Sequence, residues 1–218
     1  MDGIDSKLTY QAFEALHAFN KIYVGFSGGL DSCVLLHKLS QDSNLFNKLI
    51  AVHVNHGLSS RADSWVAFAE KTAKSLSIPF KTVSITVPNN ANIEELAREA
   101  RYNIFESLLD EQDALVLAHH QNDQAETVLM HLFRGAGIDG LSGMPAWRSL
   151  GKGKLFRPLL TLSRKELEHY ASENQLTWIE DESNQNTQFD RNFLRHQIIP
   201  KLQTRWPALI QNLCRSAE

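Results

Sequence analysis

Short apolar runs rich in β-branched residues alternate with longer amphipathic segments along this 218-residue chain, and that alternation restricts its fold more than any other feature. Residues 21–26, 48–54, 80–87 and 114–118 read as strands. In the third of these, Val83, Ile85 and Val87 fall on one side. Residues 33–39, 62–76, 92–109 and 122–133 read as the helices between and after them, the third opened by Asn92 with Glu95 three residues on. Such a β-α-β-α order predicts an α/β fold: an open, mainly parallel sheet with helices on both faces, which binds ligands at the carboxyl ends of its strands.

The rhythm breaks at Arg134. Residues 134–153 hold six of the eleven glycines and predict a loop. A helix then begins at Ser163, with Glu166 completing a capping box. A short extended stretch follows at 176–179, and a last helix runs from about Phe189 towards Pro200. The expected division is a catalytic domain over residues 1–185 and a helical extension or linker over 186–218.

Composition excludes several classes. Hydrophobic residues are 43% and charged residues 22%, as in ordinary globular proteins, and no apolar run approaches a membrane span. The start Met1-Asp2-Gly3-Ile4-Asp5 is acidic and lacks the apolar core of a secretory signal. The two cysteines, Cys33 and Cys214, form neither a zinc motif nor a redox pair, which makes the cytoplasm the simplest expected location. Net charge is −3, but it is uneven: residues 1–133 carry −6 and residues 134–218 carry +3. An acidic front and a basic back suit an enzyme holding a metal at one end and a polyanion at the other; chance unevenness of a solvated surface gives the same numbers.

The first strand runs directly into Ser27-Gly28-Gly29-Leu30-Asp31-Ser32, and a helix follows at once. Adjacent glycines let the backbone turn tightly so that amides point at an anion. The helix start adds free N–H donors and partial positive charge. Ser27 and Ser32 add hydroxyls, and Asp31 beside a phosphate calls for a bridging Mg²⁺. No lysine precedes the serine, so this is not a Walker loop, and the glycine spacing of the dinucleotide fingerprint is absent. The alternative is a plain glycine turn capped by an aspartate. Further along, Asp123 and Glu126 share a helix face at a strand end, where paired acids could bind Mg²⁺ or an ammonium group, or simply complement the helix dipole. Arg98 with Arg101, and Arg191 with Arg195, also share faces; such forks suit phosphates and bases but also serve in surface ion pairs. His53, His56, His119 and His120 lie at two strand ends in no strong zinc pattern, and read as nucleotide or RNA contacts or as buried, satisfied histidines.

The loop resembles the SGGxDS loop of the PP-loop ATP pyrophosphatases, which split ATP between its α- and β-phosphates. Four more segments resemble the tRNA(Ile)-lysidine synthetase family of PP-loop enzymes: His53-Val54-Asn55-His56-Gly57-Leu58; Glu95-Leu96-Ala97-Arg98 with Arg101-Tyr102; Ala118 to Thr127 with Arg134-Gly135-Ala136-Gly137 and Gly140-Leu141; and Trp178-Ile179-Glu180-Asp181-Glu182-Ser183-Asn184 with Arg191-Asn192 and Arg195. The resemblance spans residues 24–195. It implies ligation of L-lysine to the wobble cytidine of the isoleucine tRNA with the CAU anticodon, through an adenylated cytidine, with ATP and Mg²⁺ and release of AMP and pyrophosphate. It implies that Ser27, Gly28, Gly29, Leu30, Asp31 and Ser32, with His53 and Arg98, bind the nucleotide, and that Asp31 and Asp123 hold Mg²⁺. It implies that Asp31, Asp123, Glu126 and Arg191 serve the chemistry, Asp123 and Glu126 orienting the lysine ammonium, and that Arg101, Arg134 and Arg195 meet the RNA. The family commonly has two aspartates where this chain has Asn122-Asp123, which leaves Asp123 to carry that role. No general base is identifiable. Alternatives are another PP-loop tRNA modifier, such as a base thiolase, and a degenerate nucleotide-binding module without activity. The family usually carries further tRNA-gripping domains, so the chain is expected to be the catalytic part of a longer protein. A homodimer is compatible with the reading; a membrane partner is not.

Overall fold

The computed structural model describes residues 13–57, 61–85 and 93–217. Six strands form one sheet in the order β3-β2-β1-β4-β6-β5: β1 Lys21–Gly25, β2 Leu49–Asn55, β3 Phe80–Ser84, β4 Asp113–Val116, β5 Trp147–Leu150 and β6 Gly153–Phe156. All pairings are parallel except β5 with β6. The main helices are α1 Leu30–Ser40, α2 Ala62–Ser75, α3 Ile93–Leu108, α4 Gln121–Phe133 and α5 Arg164–Glu173. Val87 and Asn92 lie outside the described residues, and with them the expected end of the third strand and the expected cap of α3.

Alternation along the central strands assigns the helices to faces. Ile22 and Val24 of β1 point to one side, into a core with Val34, Leu35 and Leu39 of α1 and Leu167 and Ala171 of α5. Tyr23 points to the other, with Val52, Leu115 and Phe105 of α3. All four residues of β4 are buried, as expected of a strand covered on both faces.

Two sequence expectations need correction. The glycine-rich stretch is not all loop. It contains β5 and the turn of the β5–β6 hairpin, with Gly151 at φ +54, and β6 begins at its last residue; Trp147 stacks on its cross-strand partner Phe156 with centroids 4.1 Å apart. The last helix also does not stop near Pro200. It comprises Asp190–Phe193, a π turn at Leu194–Ile198 and Ile199–Arg205, here together α6. Pro200 has no N–H and crowds the carbonyl of His196, so the helix widens just before it. A further helix, α7 Leu209–Ser216, packs with α6 on α4 through Ala125, Leu129, Leu194, Ile199 and Ile210.

From β1 the chain builds outward to β2 and β3, then returns to place β4 on the other side of β1. The crevice beyond the carboxyl ends of β1 and β4 is therefore the topological switch point, where open α/β sheets bind ligands. The Ser27–Ser32 loop follows β1, and the start of α4 follows β4 soon after.

Candidate active site at the sheet switch point

Gly28 sits at φ +83, a conformation that strains any side chain, and an added Cβ would also press on Phe68 and Ile179 at 3.3 Å. The Gly28 carbonyl accepts from the Ile179 N–H at 2.9 Å, so the Trp178–Ile179 segment braces the loop from behind without joining the sheet. Gly29 caps α1, which starts at Leu30, three residues earlier than its apolar pattern implied. Ser27 and Ser32 hydroxyls lie 3.1 Å apart, and Ser32 Oγ donates to the Gly29 carbonyl at 2.9 Å. The first-turn amides of α1 have no acceptor inside the helix. This is a preformed anion cradle.

Across the crevice, His120 caps α4. Its Nδ1 accepts the Asn122 N–H at 3.2 Å, so Nε2 carries the proton. That Nε2 stands 3.6 Å from Asp31 Oδ2 and 3.6 Å from Asp123 Oδ2. The imidazole is buried between the loop carboxylate and the α4 carboxylate, joining the two halves of the crevice. Burial pushes Asp31 above the usual carboxylate range, and nearby His120 and Arg164 only partly offset it. Asp123 is also pushed up by burial, but His120, Arg191, His119 and Arg195 outweigh that and hold it well below the usual range.

Glu126, one turn deeper, is fully buried, with both oxygens occupied. Arg195 donates from Nε to Oε1 at 2.7 Å and from Nη2 to Oε2 at 2.9 Å, and Arg191 donates from Nε to Oε2 at 2.9 Å. Arg195 also reaches Asp123 Oδ1 at 3.1 Å. Thus Arg195, expected at RNA, is turned inward onto two carboxylates, and Glu126, expected to face a ligand, is the buried anchor of two arginines. The π turn lies where Arg195 enters this cluster.

The other expected residues separate. His53 is buried beneath the loop and donates from Nδ1 to the Phe26 carbonyl at 2.9 Å. Arg98 lies over the Tyr102 ring at 5.6 Å, with Arg148 over the same ring at 5.0 Å. Arg101 is close enough to His56 and His119 to help hold both neutral. Arg134 is exposed at the far end of α4, roughly 20 Å from its start at 1.5 Å per residue. Burial, reinforced by Arg157, Arg191 and Arg101, pulls His119 down to about 3, and Arg157 Nε donates to its Nδ1 at 3.2 Å. Burial pushes the Cys33 thiol up to about 12.

Sequence reading did not single out Arg164. Its Nη1 donates to both oxygens of Asp31 at 2.9 Å, and its N–H donates to Asn122 Oδ1 at 3.1 Å. The available signal was its place as the first residue of a capped helix that follows a strand end. Among the described residues no three His, Cys, Asp or Glu side chains converge as a cation site. One or two carboxylates beside an anion cradle nevertheless fit Mg²⁺, which ordinarily completes its shell with water and phosphate oxygens.

Residues 4–202 match the family model of the PP-loop domain. The chain belongs to the PP-loop family. It is 52% identical over 202 residues to a tRNA(Ile)-lysidine synthase of Legionella pneumophila (strain Lens), covering 93% of this chain and 47% of that protein. It is 49% identical over 197 residues to the tRNA(Ile)-lysidine synthase of Pseudomonas fluorescens (strain Pf0-1), covering 89% and 44%. The chain therefore spans about half the length of these curated relatives. Among solved structures, the U34-tRNA thiolase NcsA from Methanococcus maripaludis, described with its [4Fe-4S] cluster, superposes with a TM-score of 0.75 at 20% identity, over 98% of this chain and 75% of that one. An NH3-dependent NAD synthetase from Campylobacter jejuni gives a TM-score of 0.53 at 13% identity, over 97% and 94%. At these identities the structures establish the PP-loop fold. No helix among the described residues is long and apolar enough to cross a membrane.

Proposed function

We propose that this PP-loop chain carries the catalytic centre for joining L-lysine to the wobble cytidine of the CAU-anticodon isoleucine tRNA at the expense of ATP. The observation that carries the reading is the junction of the glycine loop with Asp123 through His120, in a chain about half identical to proteins named tRNA(Ile)-lysidine synthase. The cytidine C2 oxygen attacks the α-phosphate and pyrophosphate leaves; the lysine ε-amine then attacks C2 and AMP leaves. The cradle of Ser27, Gly28, Gly29, Leu30 and Ser32 receives the phosphates, and Asp31 faces the cation that accompanies them. When bound, Mg²⁺ would neutralise charge on the departing pyrophosphate.

Asp123 is held ionised by its neighbours and can receive the lysine ammonium. Glu126 acts at one remove, fixing Arg191 and Arg195 around Asp123. A sulfur-transfer reading finds less support: the chain has two cysteines, Cys33 is a buried thiol pushed up to about 12, and Cys214 donates to the Gln121 carbonyl. The test is incubation with ATP, Mg²⁺, labelled lysine and isoleucine tRNA transcript. Label in RNA, dependent on ATP and lost when the wobble cytidine is replaced, is expected. AMP formation without label in RNA would refute the reading.

A further inference from the structure

We propose that Arg164 is a phosphate-binding residue that exchanges Asp31 for the β- and γ-phosphates when nucleotide enters the loop. In the structure one nitrogen, Nη1, serves both Asp31 oxygens at 2.9 Å, Nε is held by Glu168 at 3.1 Å, and Nη2 makes no hydrogen bond to the described protein. The guanidinium therefore bridges from α5 to the rim of an anion cradle with donor capacity in reserve. Its anchor is firm: Ser163 and Glu166 form a reciprocal capping box at the start of α5, and the Arg164 N–H is fixed to Asn122.

The two kinds of arginine here differ in how easily they can be released. Arg191 and Arg195 are tied to a fully buried carboxylate, and withdrawing either would strand that charge. The Arg164–Asp31 pair is partly solvated, with side chains 40% and 26% exposed, so breaking it is cheap. Arg164 also needs a new partner if Asp31 is to meet a cation, because the guanidinium is itself positively charged. A cation on Asp31 and a phosphate on Arg164 satisfy both groups at once. The planar guanidinium suits this better than an ammonium, since it can fork two donors onto a phosphate. Charge that accumulates on the leaving pyrophosphate would then be met by Arg164 as well as by the α1 amides.

The proposal rests on the ATP reading above, and its test separates the two. Calorimetry with Mg²⁺ present would measure binding of inorganic pyrophosphate and of AMP to wild-type protein, Arg164→Ala and Arg164→Lys, and of ATP to wild-type protein, with thermal unfolding as a check on folding. Arg164→Ala should weaken pyrophosphate binding by about tenfold or more, as loss of a charge-assisted pair does, and leave AMP binding unchanged. Arg164→Lys should recover part of the loss. Unchanged pyrophosphate affinity in Arg164→Ala, or equal losses for both ligands, would overturn the role. Wild-type protein that binds neither pyrophosphate nor ATP would overturn the ATP reading itself, and this proposal with it.

Discussion

Asn122 Oδ1 accepts the backbone N–H of Arg164, pinning the start of α5 to the start of α4. The position needs an oxygen acceptor aimed at an amide, and the bond does not require a charge. Asn122 is thus a working structural residue, with Asp31 and Asp123 close by to supply charge. Asn122→Ala should cost about 1 kcal/mol, the ordinary worth of one such bond, whereas Asn122→Asp should stay within about 0.5 kcal/mol of wild type. Urea unfolding of the two variants decides it; equal losses would mean that the bond contributes nothing specific.

Asp31→Asn should separate stability from function. Burial raises the Asp31 pKa despite Arg164 and His120, so ionising this carboxyl costs more in the folded protein than in the unfolded chain. A raised carboxylate pKa means that folding favours the protonated acid, and stability attributable to it falls as pH rises through its titration. The amide removes that cost. AMP formation should fall by about a hundredfold or more, as when an electrostatic contact to the reacting phosphates is lost. The melting temperature should hold or rise. A clear drop in melting temperature would show that the Asp31 charge is needed for folding.

Glu126→Gln should behave in the opposite way. Glu126 is 0% exposed and carries two arginines. Neutralising it leaves Arg191 without its carboxylate partner and Arg195 with Asp123 alone, in a largely buried cluster, at a cost of about 3 kcal/mol or more. Denaturant midpoints at constant slope would report this directly. A loss under about 1 kcal/mol would mean that water reaches and solvates the cluster.

His119 predicts a pH dependence. Burial, with Arg157, Arg191 and Arg101, lowers its pKa from 6.5 to about 3, and Arg157 donates to its Nδ1. Between those values the unfolded chain binds a proton that the folded chain does not. Stability is therefore lost as pH falls below 6.5, with a slope of up to about 1.4 kcal/mol per pH unit from this residue. His119→Gln should flatten the stability profile between pH 5 and pH 6.5. A profile of unchanged steepness would place the titration elsewhere.

By itself the sequence determined what local chemistry can express. Strand β1, the glycine turn and the helix start are contiguous, so the cradle was legible from residues 21 to 40; the alternation of strands and helices over residues 21–133 carried the parallel α/β arrangement, and Ser163 with Glu166 announced its helix from four residues. The β5–β6 hairpin was hidden because four-residue strands among glycines carry no readable period, and its stability comes from pairing with β4 and from the Trp147–Phe156 stack. Only the tertiary structure decided what the charged residues do. A helix face reveals that Asp123 and Glu126 point the same way; it cannot reveal that Arg191 and Arg195 arrive from α6 to occupy one of them and flank the other. Arg164 meets Asp31 across 133 positions. A guanidinium serves equally in solvent, on RNA or on a buried carboxylate, and which it does depends on the dielectric and partners that distant elements bring to it.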